Sequence, residues 1–429
     1  MELTAEVVDL ASDGRGVAKV EGKATFIRGA LPGERVRYRL RRRGKAVDEG
    51  ELVAVEMPSA ERVVPQCKHF GLCGGCSLQH LSPEGQWAFK QKQLLDALER
   101  IGKVVPVVVA PPITGNAWGY RRRARLSVKH VPKKGGVLVG FREADSPYVA
   151  MIDSCIVLDP RVGLKLKEIT DCVEQLDAKT LVPQIEVAAA ETVALVFRVM
   201  QPPTPHDLST LRAFGKAQGF EIYTQTAGLD TVKALNESAP ELFITPDGSA
   251  LKLVFRPTDF VQVNDAVNRQ MVRQALAWLD LAPGAKVLEL FSGLGNFSLP
   301  LAAAGAQVTA VEGDVALVAR ARENGKRNGL DIRFEVANLF EPDPKVDWLA
   351  ARYDAALVDP PRAGAREILP AVADGAAKRI LYVSCHPGTL ARDADYLVHE
   401  RGYTLARAGI LDMFPHTNHV ESMALFEKK

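Results

Sequence analysis

The sequence predicts an α/β chain: a doubly wound, Rossmann-like carboxyl-terminal unit, preceded by an OB-like β-barrel and a central α+β segment. Three observations predict it. From Asn268 onward, short apolar runs alternate regularly with helical patterns, as in a parallel sheet covered by crossover helices. Before residue 58, five short strand-like segments follow one another with turns between them, the pattern of a small barrel. Between Trp118 and Phe255 strand and helix patterns are mixed, and Pro202, Pro203 and Pro205 mark a loop. At 429 residues the chain is too long for one core, and the division expected is 1–58, 59–256 and 257–429.

Taken in order, the barrel strands are expected over 2–10, 16–20, 23–27, 34–41 and 49–55. In the fourth, Arg35, Arg37, Arg39 and Arg41 alternate with Val36, Tyr38 and Leu40. Period two puts the guanidiniums on one face and the apolar side chains on the other. Around this strand, from Arg28 to Lys45, eight basic residues stand against the single acid Glu34. A second excess, seven Lys or Arg without an acid, runs from Arg121 to Lys134, although the net charge is only +2. Such patches attract polyanions by releasing condensed counterions, so both runs are candidate polyanion-binding faces. Next, 83–101 reads as an amphipathic helix with Trp87, Leu94, Leu95, Leu98 and Ile101 at helical spacing, able to pack on the carboxyl-terminal unit.

In the last unit, Val287–Leu290 is a buried strand that turns through Gly293 and Gly295 into a helix, a place where backbone can approach a ligand closely. The third glycine of the dinucleotide fingerprint is absent, which weakens the competing dehydrogenase reading. The second strand ends at Glu312, suited to ribose hydroxyls, and the third at Asn338, suited to an adenine edge. The fourth ends in Asp359-Pro360-Pro361-Arg362. Together these make the pattern of a class I S-adenosylmethionine-dependent methyltransferase. The fifth strand ends at Cys385, a thiol at the ligand-binding edge: a candidate nucleophile, or a small buried hydrophobe.

Six cysteines in a chain of this size do not suggest a secreted disulfide framework. Cys67-x5-Cys73-x2-Cys76 is a tight glycine-rich loop able to converge three thiolates, and Cys155 or Cys172 could supply a fourth. Spacing alone leaves zinc and an iron–sulfur cluster open. No signal peptide or bilayer-spanning stretch is evident, so a cytoplasmic protein without membrane attachment is expected.

Five segments carry a family resemblance: Asp259-Phe260-Val261-Gln262-Val263-Asn264, Phe291-Ser292-Gly293-Leu294-Gly295-Asn296-Phe297, Asp359-Pro360-Pro361-Arg362-Ala363-Gly364, Val383-Ser384-Cys385-His386-Pro387, and Asp412 through Glu421. With them the chain resembles the RNA uracil-C5 methyltransferase family. Its first unit resembles the TRAM module, and its cysteine loop resembles the family's iron–sulfur site. The resemblance implies that Cys385 is the nucleophile and Glu421 the general base. It places Gln262, Phe291, Asn296, Glu312, Asn338 and Asp359 around S-adenosyl-L-methionine. It also favours a 4Fe-4S cluster held by Cys67, Cys73, Cys76 and Cys155, leaving Cys172 to packing. Barrel and cysteine loop together resemble the members acting on large-subunit (23S) ribosomal RNA. The alternatives are a transfer-RNA uracil-C5 methyltransferase and a non-catalytic RNA-binding assembly factor. A monomer without an obligate protein partner is expected.

Overall fold

The computed structural model describes residues 2–375 and 377–428. Strands Glu2–Leu10, Gly16–Val20, Lys23–Arg28, Arg35–Arg43 and Val47–Met57 close into a barrel, with the first strand between the second and the fourth. Its core is Ala5, Val7, Ala18, Ile27, Ala30, Val36 and Tyr38. Gly50 is required by close approach: a Cβ there would lie 2.5 Å from the Tyr38 ring that fills the barrel. The alternation predicted for the fourth strand is observed, with all four arginines exposed. They are not free, however. Glu2 pairs with Arg37 and Arg39, Glu56 with Arg35, and Glu51 with Arg41, while Asp145 from the central unit reaches Arg28 and Arg41. These carboxylates lie on neighbouring strands or on a distant loop, so a linear count of charge does not reveal them.

The central sheet has six strands, in the order Lys233–Ala234, Phe220–Gln225, Val193–Arg198, Gln184–Ala189, Arg123–Val131, Gly136–Gly140. Helices Leu166–Glu174 and Pro205–Gln218 contribute to its core, where Cys172 is buried with Ile169 and Val173. The Arg121–Arg125 run differs from its reading as an RNA-facing patch. Arg122 donates from Nε to the Gln262 carbonyl (2.8 Å) and from Nη1 to Asp265 (2.7 Å), and Arg123 is nearly buried beside Glu186. Arg122 through these contacts, and Arg123 by donating from Nη1 to the Pro257 carbonyl, tie the central sheet to the carboxyl-terminal unit; only Arg125 extends far into solvent. Guanidiniums buried in this way are structural clamps.

The carboxyl-terminal sheet runs Arg333–Val336, Gln307–Glu312, Lys286–Leu290, Ala355–Val358, Arg379–Ser384, Glu421–Lys428, Tyr403–Leu411, Val108–Val109. The first five are parallel; Glu421–Lys428 is antiparallel to both of its neighbours. Strand order reverses beside Lys286–Leu290, and in such sheets ligands bind outside the strand carboxyl ends at that switch. Val108–Val109 is contributed from far upstream. Helix Pro83–Arg100 forms over the predicted span, started by Pro83 and by the Ser82 side chain, which accepts from the Gly85 N–H. It packs Leu94 and Leu98 into the same core as Leu390, Ile410 and Tyr382. Ile101 is exposed rather than buried, while Gln86 and Lys90 are buried although both are polar. Among the described residues no helix is long and apolar enough to cross a membrane.

Candidate active site

Lys286–Leu290 ends in a turn that only unusual backbone can make. Phe291 has φ +61°, Gly293 +55° and Gly295 +95°. A bulky residue in the left-handed region is strained, and such strain concentrates at functional sites. The turn directs the Gly293 N–H at Glu312 Oε2 (3.1 Å), while Glu312 Oε1 accepts from Gly313 (2.8 Å) and Asp314 (3.1 Å). Three backbone donors thus fix the carboxylate at the end of its strand. Asn296 is held by a reciprocal amide pair with buried Asn268, at 2.9 and 3.0 Å. Asn338 accepts from the Phe340 N–H (3.1 Å), and the Arg122 clamp sets the backbone of Gln262.

These side chains share one cavity of about 600 Å³. It is lined by all six residues expected at the cofactor, Gln262, Phe291, Asn296, Glu312, Asn338 and Asp359, and also by Cys385 and Glu421. The last two meet through sheet register. Ser384 lies opposite Ser422 at the end of the antiparallel pair, so Cys385 and Glu421 flank that last pair at the same sheet edge, close enough for the Glu421 charge to act on the thiol. Thirty-six positions of sequence separation vanish in a single register step.

The cavity is electrostatically unusual. Burial pushes the Asp359 carboxyl up to about 7. Burial, then the charge of Asp359, pushes Glu421 up to about 8, against the opposing pull of Arg362 and Lys90. The Cys385 thiol is pushed up to about 11 by burial and then by Glu421 and Asp359, with Arg362 opposing. Behind the wall, buried Glu289 accepts from the Ser298 hydroxyl and is held up near 8 by desolvation. Titratable groups so far from their ordinary ranges, sharing one cleft, mark a functional site.

Arg362, Phe260 and Phe414 also line the cavity, though sequence reasoning gave them no role. Each sits inside a quoted motif, so the signal was present in the sequence; in the structure Phe260 is 70% exposed.

A second cavity, about 330 Å³, is lined by Cys67, Cys73, Cys76 and Cys155 with His69, Phe141, Phe414 and His419. Burial, helped by the neighbouring thiols and opposed by hydrogen bonds with Gly75 and Gln79, pushes Cys73 up to about 11 and Cys76 up to about 12. Gly163 permits the approach of the Cys155 backbone, since a Cβ there would collide with the Cys155 carbonyl. Four thiols in a largely apolar chamber are a donor set suited to iron or zinc, whose positive charge would stabilise the thiolates. Among the described residues, no three His, Cys, Asp or Glu are drawn close enough to hold a single metal ion as they stand.

Known proteins resemble this chain over nearly its whole length. The family described as tRNA (Uracil-5-)-methyltransferase matches residues 247–429, and the TRAM domain matches residues 1–41. A protein of Alkalilimnicola ehrlichii named 23S rRNA (uracil(1939)-C(5))-methyltransferase RlmD is 51% identical over 99% of this chain and 96% of its own. One of the same name from Thiobacillus denitrificans is 48% identical over the full length of both chains. Among solved structures, the Pyrococcus abyssi tRNA (uracil-54, C5)-methyltransferase in complex with S-adenosyl-L-homocysteine superimposes with a TM-score of 0.75, at 26% identity over 99% of each chain. A transfer-RNA enzyme thus aligns along the whole chain, barrel and cysteine loop included. The full-length relatives at about half identity, the matching catalytic profile and the cavity that gathers its motifs lead to one conclusion: this chain belongs to the RNA uracil-C5 methyltransferase family.

Proposed function

We propose that the protein transfers a methyl group from S-adenosylmethionine to C5 of a uridine in large-subunit (23S) ribosomal RNA, giving 5-methyluridine. The observation that carries this reading is the Cys385–Glu421 juxtaposition inside the cavity formed by the ends of the nucleotide-binding strands. The ribosomal substrate is supported by the names of the relatives near 50% identity; the transfer-RNA neighbour is far more distant. Incubating ribosomal and transfer RNA with labelled cofactor tests the choice: label in ribosomal RNA is expected, and label confined to transfer RNA would overturn it.

In this scheme Cys385, as the thiolate, adds through Sγ to C6 of the uracil, and the C5=C6 π pair moves towards O4, making C5 nucleophilic. Bound S-adenosylmethionine supplies the electrophilic methyl group that C5 then takes. Glu421 accepts the C5 proton, the C5=C6 bond reforms, and Sγ departs with its electron pair. The target base must leave its stack to enter a closed cavity, or come from an RNA loop. Around the cofactor, Glu312 takes the ribose hydroxyls, Asn338 the adenine, and Gln262, Phe291, Asn296 and Asp359 enclose the remainder. Replacing Glu312 by alanine should weaken S-adenosylhomocysteine binding about 10- to 100-fold by calorimetry, the loss expected for charge-assisted hydrogen bonds.

Cys67, Cys73, Cys76 and Cys155 would hold a 4Fe-4S cluster, supported by the lining of one chamber with four thiols. Its role would be structural, since no electron partner is needed for this chemistry. Anaerobically purified protein should show iron and sulfide in equal amounts and broad visible absorbance, both lost in Cys155→Ala; zinc in their place would overturn the cluster. Residues 1–58, 59–256 and 257–429 serve as RNA-binding barrel, central unit and catalytic unit, in a cytoplasmic monomer.

A further inference from the structure

Lys90 is fully buried on helix Pro83–Arg100, with its Nζ 2.6 Å from Asp412 Oδ1 and 2.9 Å from the Phe414 carbonyl. Burying a cation is costly, and a buried ion pair is often no more stabilising than a packed apolar pair. Stability alone therefore gives little reason for this lysine. Its partners suggest another. Asp412 opens the loop 412–420 that leads from strand Tyr403–Leu411 to Glu421, the first residue of the next strand. Trp87, on the same helix, donates from Nε1 to Asp412 Oδ2 (2.9 Å). Further along, Gln86 Oε1 accepts from the His416 N–H (2.7 Å), and the His416 ring stacks on Trp118 at 3.9 Å.

The loop needs this support. His416 has φ +67°, a strained conformation for a residue with a side chain, which persists only where the surroundings enforce it. Phe414, whose carbonyl Lys90 holds, lines the active-site cavity and the cysteine chamber at once. The charged or titratable groups that act on Glu421 are Asp359, Arg362 and Lys90, with Cys385 opposite and His419 two residues before it. Of these, Lys90 alone lies on the helix that carries the loop's anchors.

We propose that Lys90 is a positioning residue for the general base, fixing loop 412–420 from its first residue so that Glu421 meets the C5 proton of the methylated adduct. The proposal rests on the reading of Glu421 as the base. It separates two halves of the reaction. Thiol addition and methyl transfer depend on Cys385 and the cofactor wall, whereas proton removal depends on a carboxylate placed to within a fraction of an ångström. A misplacement of about 1 Å costs such a step about 10²-fold.

The test uses Lys90→Met/Asp412→Asn, which removes both charges and leaves neither buried alone, with Glu421→Gln in parallel. Two RNA fragments are compared: one with the natural uridine, and one with 5-fluorouridine, which has no C5 proton and reports addition and methyl transfer only. The double variant should bind S-adenosylhomocysteine and capture the fluorinated RNA within about threefold of wild type. On natural RNA it should turn over about 10²-fold more slowly, accumulate the covalent adduct, and shift the acidic limb of its pH profile upward. Equal slowing on both RNAs, or wild-type turnover with an unmoved profile, would overturn the proposal. Should the double variant not fold, Trp87→Phe decides: slower adduct release with normal capture supports it, and no change on either RNA overturns it. Absence of adduct in Glu421→Gln on natural RNA would instead remove Glu421 as the base, and with it the function assigned to Lys90.

Discussion

Replacing Cys385 by alanine is expected to lower methyl transfer by at least about 10⁴-fold while leaving S-adenosylhomocysteine binding within a factor of about two. The first half follows from chemistry: without addition at C6, C5 of uracil is too weak a nucleophile to take the methyl. The second follows from geometry, because the residues proposed to hold the cofactor lie at other points of the cavity and the lost sulfur is a single cavity-lining atom. Labelled-methyl incorporation and calorimetry check the two halves, and methylation at the wild-type rate would sink the assignment. The same site sets a pH signature. With the thiol near 11, about one molecule in 10⁴ carries the thiolate at pH 7. Alkylation of Cys385 by iodoacetamide in the free protein should therefore rise about tenfold per pH unit between 7 and 10. Arg362 is the residue that opposes this rise in pKa, and substituting leucine for it should slow alkylation further at neutral pH. A bound sulfonium would act in the same direction as Arg362, so the methyl donor is expected to accelerate alkylation where its neutral product does not.

Residues whose roles follow from local pattern were legible in the sequence. Period-two alternation located the arginine face of the barrel strand, and apolar runs ending in Glu312, Asn338, Asp359 and Cys385 located the rim of the cavity. Sheet topology guarantees that parallel strand ends gather on one edge, so those residues converge without any knowledge of their contacts. Glu421 was different. Its opposition to Cys385 depends on the antiparallel register of Glu421–Lys428 against Arg379–Ser384, which no local signal encodes, and only family resemblance pointed to it. Lys90 was invisible for a related reason: on a helix read by its apolar face, a lysine looks solvated until Asp412, 322 positions away, is folded against it. The arginines failed in the opposite direction. Arg122 and Arg123 read as a polyanion patch because their acceptors, Asp265, Glu186 and the Gln262 carbonyl, come from other parts of the chain. Charge runs report composition, whereas availability is decided by long-range partners.

Replacing Glu421 by glutamine should convert the enzyme from a catalyst into a trap. Addition and methyl transfer need no base at C5, so the variant is expected to form the Cys385–RNA adduct and to release it about 10²- to 10⁴-fold more slowly than wild type, the range of a positioned general base. A denaturing gel of enzyme with labelled ribosomal RNA reads this as a stable shifted band, and rapid turnover without the band would remove Glu421 from the role. The carboxyl is suited to the task. At about 8 it lies near working pH, where a base combines an available lone pair with real affinity for the proton. The folded value is above the ordinary 4.5, so the folded state binds this proton more tightly than the unfolded chain does. The stabilisation from that protonated carboxyl is complete below about 4.5 and is lost as pH rises through about 8. Glutamine carries no such penalty. The variant should therefore match the wild-type melting temperature at pH 5 and exceed it at pH 8.5, so that removing the catalytic charge relieves the strain of its burial.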